Sequence, residues 1–317
     1  MPRVAAVIVT YNRKEKLLRC IEAVLVQDSE VLPDIFIVDN GSSDGTGEEV
    51  SKLQLKEPGR IIYSNLRHNS GGAGGFCYGI RKATEAGYDF IWLMDDDCRP
   101  DLAALREFLR CDKSLDGNYG FLSGRAYWND GSLCKMNIQR RSLTRKVSER
   151  ENGLIKVETA TFVSLFLPRK AVLEVGLPFR EFFIWSDDWE YTRRISGRYP
   201  CYLVTDSTVV HDMEANIAAD IATAPDCFLD RFRYRYRNDV YLYRREGVKG
   251  IAYEVTKLML HLMRITCADR SITEKARRAQ VMFRGTVEGL SFYPMPDRAA
   301  VTTGRNELIR EANTDGE

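Results

Sequence analysis

Long apolar runs are missing from this 317-residue chain: no uncharged stretch approaches the roughly 20 residues that a membrane-spanning helix needs. The run nearest the N-terminus, Val4 to Val9, is too short for the core of a secretory signal. The expectation is therefore a cytoplasmic protein, or one peripheral on the inner face of a membrane. A charge excess is missing too, because 46 Lys and Arg against 45 Asp and Glu leave a net charge of +1, which argues against a general nucleic-acid binder. Histidine is scarce, with three in all. The eight cysteines form no CxxC and no Cys/His pair at zinc-ligand spacing, so they are expected to be reduced and structural. Absent as well are a GxGxxG fingerprint, a Walker lysine, internal repeats and low-complexity tracts. The length suffices for one large domain with an appendage, or for two domains.

What is present centres on Asp89 to Pro100, DFIWLMDDDCRP. Five apolar residues, Phe90 to Met94, are too few for a free-standing helix and read as a strand covered on both faces. Asp95, Asp96 and Asp97 follow at its C-terminal end, the edge where open α/β sheets hold ligands. If the segment stays extended, Asp95 and Asp97 point the same way and Asp96 faces elsewhere. A hard divalent ion such as Mn²⁺ or Mg²⁺, itself holding a diphosphate, would relieve the repulsion among the three. A solvated acidic turn is the alternative, and the buried strand before it favours the ion.

The N-terminal half alternates strand and helix. Val4 to Val9 reads as a buried parallel strand, and Leu17, Leu18, Ile21, Val24 and Leu25 mark one apolar helical face. Ile35 to Val38 is a second strand running into the turn-rich Asp39 to Gly45; Glu48 to Leu55 offers a helix and Ile61 to Tyr63 a third strand. The glycines of Asn69 to Phe76 open another helical pattern. They permit either the close approach of a flat ligand or backbone, with the helix N-terminus facing negative charge, or tight packing of helix on sheet. Beyond the central strand, Leu102 to Leu109 reads as a helix, and FLSGRAYW and KMNIQR as weak antiparallel edge strands. Thr159 to Pro168 reads as a strand, Ala171 to Val175 as a short helix, and Tyr202 to Val204 and Thr208 to Val210 as two short strands.

Trp185 to Tyr191 interleaves Asp187, Asp188 and Glu190 with Trp185, Trp189 and Tyr191. Aromatic faces pack against the C–H face of a sugar while carboxylates accept hydrogen bonds from its hydroxyls or remove a proton. A helix start, with Ser186 as cap and the acids at the positive end of the dipole, is the other reading, and both can hold together. His211 ends the strand Thr208 to Val210. It is either a surface residue or the imidazole that completes an oxygen-rich Mn²⁺ site with Asp95 and Asp97. Composition shifts near residue 215. Arg231 to Arg237 alternates with period two, yet apolar residues continue at helical intervals, so residues 216–317 read as a helical region behind a catalytic domain of residues 1–215. The six arginines between 231 and 245 would either dock on anionic headgroups or a lipid diphosphate, or pair with acids of the catalytic domain. Thr302 to Glu317 is polar and expected to fray.

In order, VAAVIVTYNR, FIVDNGSSDGT, LRHNSGGAGGF, WLMDDD, FFIWSDDWEY and VVH resemble the inverting family 2 glycosyltransferases of GT-A fold, over roughly residues 3–245. NSGGAGGF and WSDDWEY look most like bacterial galactofuranosyltransferases and their rhamnosyltransferase relatives. The resemblance implies an α/β fold, a mostly parallel sheet flanked by helices, with a C-terminal helical region. It implies that Thr10, Asn12 and Asp39 hold the nucleotide base and ribose, Asp39 at the uracil edge, with Gly71, Asp95 and Asp96 completing the nucleotide site. Asp95, Asp97 and His211 would carry Mn²⁺ or Mg²⁺, and Asp188 would be the base. Trp185, Asp187 and Glu190 would line the sugar or acceptor pocket. Where relatives commonly have glycine, this chain has Ser186, which leaves the division of roles between Asp187 and Asp188 open. The implied activity moves galactofuranose from UDP-galactofuranose to a hydroxyl of a glycan or lipid-linked oligosaccharide in the synthesis of cell-surface polysaccharide such as O-antigen or capsule. The alternatives are a dTDP-rhamnose-dependent rhamnosyltransferase and, further off, a nucleotide-sugar-binding module without chemistry. A nucleotidyltransferase would show a glycine-rich basic loop where Thr10 to Lys14 stands. Nothing in the sequence fixes an oligomeric state.

Overall fold

The computed structural model describes residues 1–299, so the tail expected to fray, Thr302 to Glu317, lies outside the described residues. The chain runs β1 (Val4–Thr10), α1 (Lys14–Leu25), β2 (Asp34–Asp39), α2 (Thr46–Lys56), β3 (Ile61–Asn65), α3 (Gly71–Glu85) and β4 (Phe90–Asp95). It continues through β5 (Cys98–Pro100), α4 (Ala104–Ser114), β6 (Leu122–Tyr127), β7 (Leu154–Lys156), β8 (Leu165–Pro168), α5 (Arg169–Val175), α6 (Asp187–Ser196) and β9 (Tyr202–His211). Three helices close it: α7 (Leu229–Arg244), α8 (Gly247–Cys267) and α9 (Ile272–Leu290).

One sheet organises the protein, in the order β3-β2-β1-β4-β8-β6-β9-β5, with β7 also on β9. The β3-β2-β1-β4 half is parallel. Beyond β4 the pairings are antiparallel except for β6 with β9. Strand alternation sends neighbouring side chains to opposite faces. Ala5, Val7 and Val9 of β1 join Ile91 and Leu93 of β4 in one core with α3, while Val4, Ala6 and Ile8 join Phe90, Trp92 and Met94 in another with α1 and α4. At roughly 1.5–3 kcal/mol per fully buried large apolar side chain, these two layers are what hold the sheet edge still. The glycines of α3 serve this packing, since a Cβ at Gly75 would come 2.5 Å from Val9 Cγ1.

Several strands differ from the sequence expectation. Thr159 to Ser164 is irregular, with Ser164 at φ +56°, so β8 is confined to Leu165–Pro168. KMNIQR makes isolated bridges at Arg140 rather than a strand. The two short strands after residue 201 are one, β9, because a register shift opposite Gly124 and Arg125 absorbs the polar interruption between Val204 and Thr208. Arg231 to Arg237 lies on α7; Arg231 is exposed over the Phe228 ring, while the other three arginines bond within the chain. Arg233 Nη2 is 2.7 Å from Glu288, Arg235 donates to the Ala219 carbonyl at 2.8 Å, and Arg237 bonds the Glu181 carbonyl and stacks on Phe292. Arg244 donates to the Gly289 carbonyl and Arg245 bonds the Tyr241 hydroxyl. The acids they meet, Glu288 and Asp239, belong to the C-terminal helices and not to the catalytic domain, so the pairing expected from the sequence has different partners. All eight cysteines are free, and only Cys227 and Cys267 are exposed.

Candidate active site

Parallel register aligns the C-terminal ends of three strands: Thr10 pairs with Asp39 and Val9 with Asp95. After Asp95 the chain does not stay extended; Asp96 and Asp97 form a turn before β5. The acids therefore separate for a different reason from strand alternation. Thr10 Oγ1 donates to Asp96 Oδ2 at 2.8 Å, pulling Asp96 aside, and Arg13 Nη1 bridges Asp97 Oδ2 at 2.8 Å and Asp96 Oδ1 at 3.3 Å. Antiparallel pairing of Cys98 with His211 then brings the imidazole to Asp97.

Donor atoms of Asp95, Asp97, Cys98 and His211 all lie within 4.8 Å of one another. Two details fit a divalent cation. His211 Nδ1 is 2.9 Å from Asn137 Oδ1, whose amide is oriented by its own bond to Thr161 Oγ1 at 2.9 Å, so the Nδ1 proton goes to Asn137 and Nε2 is the nitrogen that would face a cation once its own proton is displaced. Nε2 stands 3.0 Å from Asp97 Oδ1, a buried oxygen that nonetheless accepts no aligned hydrogen bond. Both atoms thus address one point. Burial holds the Cys98 thiol well above its ordinary pKa, hence protonated, leaving two carboxylates and an imidazole as the donors, a set suited to Mn²⁺ or Mg²⁺. Without a cation the cluster is frustrated. Burial and Asp97 push Asp95 up to about 6, and burial pushes Asp96 up to about 7 against the pull of Arg13. Asp97 is held below the ordinary value by His211, Arg13 and Lys16 despite burial. His211, which burial alone would lower, is raised to about 10, with Asp97 the main cause.

The nucleotide-side residues divide. Asn12, exposed at φ +52°, ties the loop after β1 to the loop after β2 by accepting from the Ser43 N–H at 2.7 Å. Asp39 is fully buried, and both its oxygens accept bonds, from the Ser42 N–H at 2.8 Å and the Tyr63 hydroxyl at 2.6 Å. Gly71 does not open onto the site: it is buried, and the Phe183 carbonyl sits where its Cβ would be, while the Ala73 N–H donates to that carbonyl at 3.1 Å. Packing accounts for this glycine.

The second acidic cluster rests on an unusual backbone. Phe183, Trp185 and Ser186 all have φ between +63° and +64°, a left-handed conformation that costs L-residues about 1–2 kcal/mol each. Ser186 thus adopts the conformation glycine takes freely. It does not cap α6 as expected; its hydroxyl donates to Asp239 Oδ1 at 2.7 Å. Asn238, wholly buried on α7, sets its Nδ2 2.9, 3.2 and 2.9 Å from the carbonyls of Phe182, Ile184 and Trp185. Lys257 of α8 in turn holds Asp239 at 2.7 Å. The loop ends in Asp187 and Asp188, the first two residues of α6. Burial raises Asp187 to about 7, and burial with the Asp187 charge raises Asp188 well above the carboxylate range, the Asp95 carboxylate adding to both. Asp188 Oδ1 accepts from the Trp189 N–H at 2.7 Å.

Two expected pocket residues are occupied elsewhere. Glu190 is buried and held by Arg194, with Oε1 2.9 Å from Nε and Oε2 2.8 Å from Nη2, so it braces α6 rather than facing a sugar. Trp185 packs edge-on against Phe232 of α7, ring centroids 5.0 Å apart. Sequence reasoning passed over Arg13, Asn137, Asn238 and Asp239. Only Arg13, beside Thr10 to Asn12, had a local signal. Asn238→Ala should leave three carbonyls of a strained loop without their donor. We expect a loss of about 1–3 kcal/mol in unfolding free energy and a fall in kcat larger than any change in donor KM, read by thermal denaturation and steady-state kinetics. An unchanged kcat would show that the loop keeps its shape without the amide.

The glycosyl transferase family 2 model matches residues 5–156. The galactofuranosyltransferase GlfT1 of Mycolicibacterium smegmatis is 41% identical over 109 residues, 34% of this chain and 34% of that protein, so the alignment spans about a third of that relative. GlfT1 of Mycobacterium tuberculosis is 28% identical over 264 residues, 78% of this chain and 84% of that one. Among solved structures, the mannosyltransferase PcManGT from Pyrobaculum calidifontis, in complex with GDP-Man and Mn²⁺, superposes with a TM-score of 0.57 at 15% identity. It covers 92% of this chain and 87% of that one, a likeness of fold. Residues 5–156 are a glycosyltransferase family 2 domain, and the chain that carries them is a glycosyltransferase of GT-A fold.

Proposed function

We propose that the protein transfers galactofuranose from UDP-galactofuranose to a hydroxyl of a glycan or lipid-linked oligosaccharide, with inversion, working at the inner face of the membrane. The observation that carries the donor is the similarity to galactofuranosyltransferases along 78% of the chain. The ends of β1 and β2 are the base and ribose side of the site, with Asn12 exposed there and the buried Thr10 and Asp39 shaping it from beneath. Asp95, Asp97 and His211 would hold a divalent ion such as Mn²⁺, which when bound would supply positive charge against the leaving diphosphate. Asp188 Oδ1 is engaged by the Trp189 N–H, which leaves Oδ2 to take the proton of the acceptor hydroxyl as that oxygen attacks the anomeric carbon from the face opposite the diphosphate. Asp187, buried beside it, keeps the Asp188 carboxylate basic through its charge. No covalent intermediate is required.

A donor panel tests the sugar. With Mn²⁺ present, release of nucleotide diphosphate from UDP-galactofuranose should exceed that from UDP-galactose, UDP-glucose and dTDP-rhamnose at least about tenfold, if specificity resides in pocket hydrogen bonds. Preferential release from dTDP-rhamnose would keep the base and metal assignments and replace the sugar.

A further inference from the structure

Within Trp185 to Tyr191, Trp185 and Glu190 are engaged by α7 and by Arg194, but Trp189 is half-buried and forms one wall of an open cleft. The cleft encloses about 340 Å³, its mouth included, between the loop at Arg140 to Leu143, the segment Glu158 to Thr159, α6 and the end of α7. Trp189 and Arg193, one helical turn apart, share the face of α6 that lines it. Two connections set it beside the catalytic centre. On α6, Trp189 follows Asp188 directly, and its N–H holds Asp188 Oδ1. From the metal cluster, Asn137, which meets His211, and Thr161, which meets Asn137, run antiparallel to the Arg140–Thr159 bridge at the cleft. Thr159 is two residues from Thr161, a span of at most about 7 Å, so one oligosaccharide can reach both. The walls select the occupant. Arg193 is held by two glutamates, Nη1 by Glu158, and Nε and Nη2 by Glu246 at 2.6 and 2.8 Å. Arg140 lies over the Trp189 ring, its guanidinium carbon 4.2 Å from the centroid, and has no carboxylate partner among the described residues. Two arginines against two glutamates leave the lining formally neutral, so a diphosphate would meet a carboxylate for every guanidinium. A neutral molecule rich in hydroxyls fits: the glutamates, 39% and 22% exposed, accept from hydroxyls, Arg140 donates to them, and the indole packs against a C–H face.

We propose that this cleft holds a neutral sugar unit of the acceptor glycan while the reacting hydroxyl reaches Asp188, with Trp189 as the platform and Arg140 and Glu158 as hydrogen-bonding partners. This rests on the glycan-acceptor part of the function proposed above and names the surface that recognises the glycan. The same α6 turn then serves both steps, since Asp188 takes the proton and the next residue seats the molecule that gives it.

The test is saturation-transfer NMR on the full chain with UDP and Mn²⁺, using methyl galactofuranoside and methyl rhamnopyranoside as probes and galactose 6-phosphate as the anionic comparison. The affinity for the neutral glycosides, read from the concentration dependence of the transfer, should fall at least about tenfold in Trp189→Ala and be largely restored in Trp189→Phe. Ser142→Trp, which fills the cleft from its loop side and leaves α6 untouched, should lose the glycosides likewise while keeping its calorimetric affinity for UDP. The outcome therefore does not depend on how well Trp189→Ala folds. In turnover the acceptor KM should rise with the donor KM unchanged; a donor KM that rises equally would give the cleft to the donor and overturn the proposal. No transfer to either glycoside in the wild-type protein, equal affinity in the wild-type protein and Ser142→Trp, or tighter binding of galactose 6-phosphate than of the neutral glycosides also overturns it. If the variants lose the glycosides but the donor panel shows no preference for UDP-galactofuranose, the donor reading falls and the cleft stands.

Discussion

Asp188→Asn should lower kcat by about two to four orders of magnitude while UDP-sugar binding, measured by calorimetry with Mn²⁺, survives. The amide is nearly isosteric and can still accept from the Trp189 N–H, so the loop and helix should hold; what it lacks is a site for the acceptor's proton. The pH profile carries a second signature. The working base must be ionised, and burial together with the Asp187 charge raises its pKa. Activity should therefore fall, as pH is lowered, at a pH above the value near 4 of an ordinary carboxylate. A bound cation would cancel the Asp95 contribution but not the other two, and the apparent value belongs to the pair. Asp187→Asn removes the neighbouring charge, so the acid limb should move to lower pH while most of kcat remains. If instead Asp187→Asn is the inactive variant and Asp188→Asn is not, the two roles are reversed.

Asp97→Ala should abolish turnover and erase the Mn²⁺ dependence of UDP binding, with at least about a 100-fold loss of metal affinity. Asp97 does three things at once: it offers an unsatisfied buried oxygen beside His211 Nε2, it holds Arg13, and it reaches Lys16 at 3.9 Å. Asp97→Asn separates these roles, since the amide oxygen can still accept from Arg13 but carries no charge for a divalent ion. Both variants should melt as cooperatively as the wild-type protein. Full activity of Asp97→Ala in the presence of a chelator would remove the metal from the account.

Much of the sheet could be read from the sequence because its strands are continuous apolar runs ending in polar clusters. Val4 to Val9 and Phe90 to Met94 are buried on both faces, and for such strands hydrophobicity alone decides. Strands interrupted by polar residues misled: Thr205 to Ser207 reads as a break, yet a bulge carries β9 straight through. The site showed the same division. Asp95, Asp97 and His211 came together as the resemblance implied, although through a turn and a cross-strand pairing and not through extension. Glu190 went astray because acid beside tryptophan suggested sugar, when Arg194 one helical turn on was its partner. The contribution of Asn238 had no local signature at all. An asparagine in the middle of a helix announces nothing until the carbonyls of a loop some 50 residues earlier are seen around it.

That asparagine has a consequence for the order in which the protein becomes an enzyme. Synthesis proceeds from the N-terminus, and early segments can fold while later ones are still unmade. A nascent chain ending at residue 215 already contains the sheet edge, the carboxylates of the metal cluster and both acids of α6. It lacks Asn238, Asp239 and Lys257, the groups that hold Phe183 to Ser186 in a left-handed path the backbone would otherwise leave. The chemistry is thus expected to mature after the scaffold, and a half-made chain should be unable to consume its own donor.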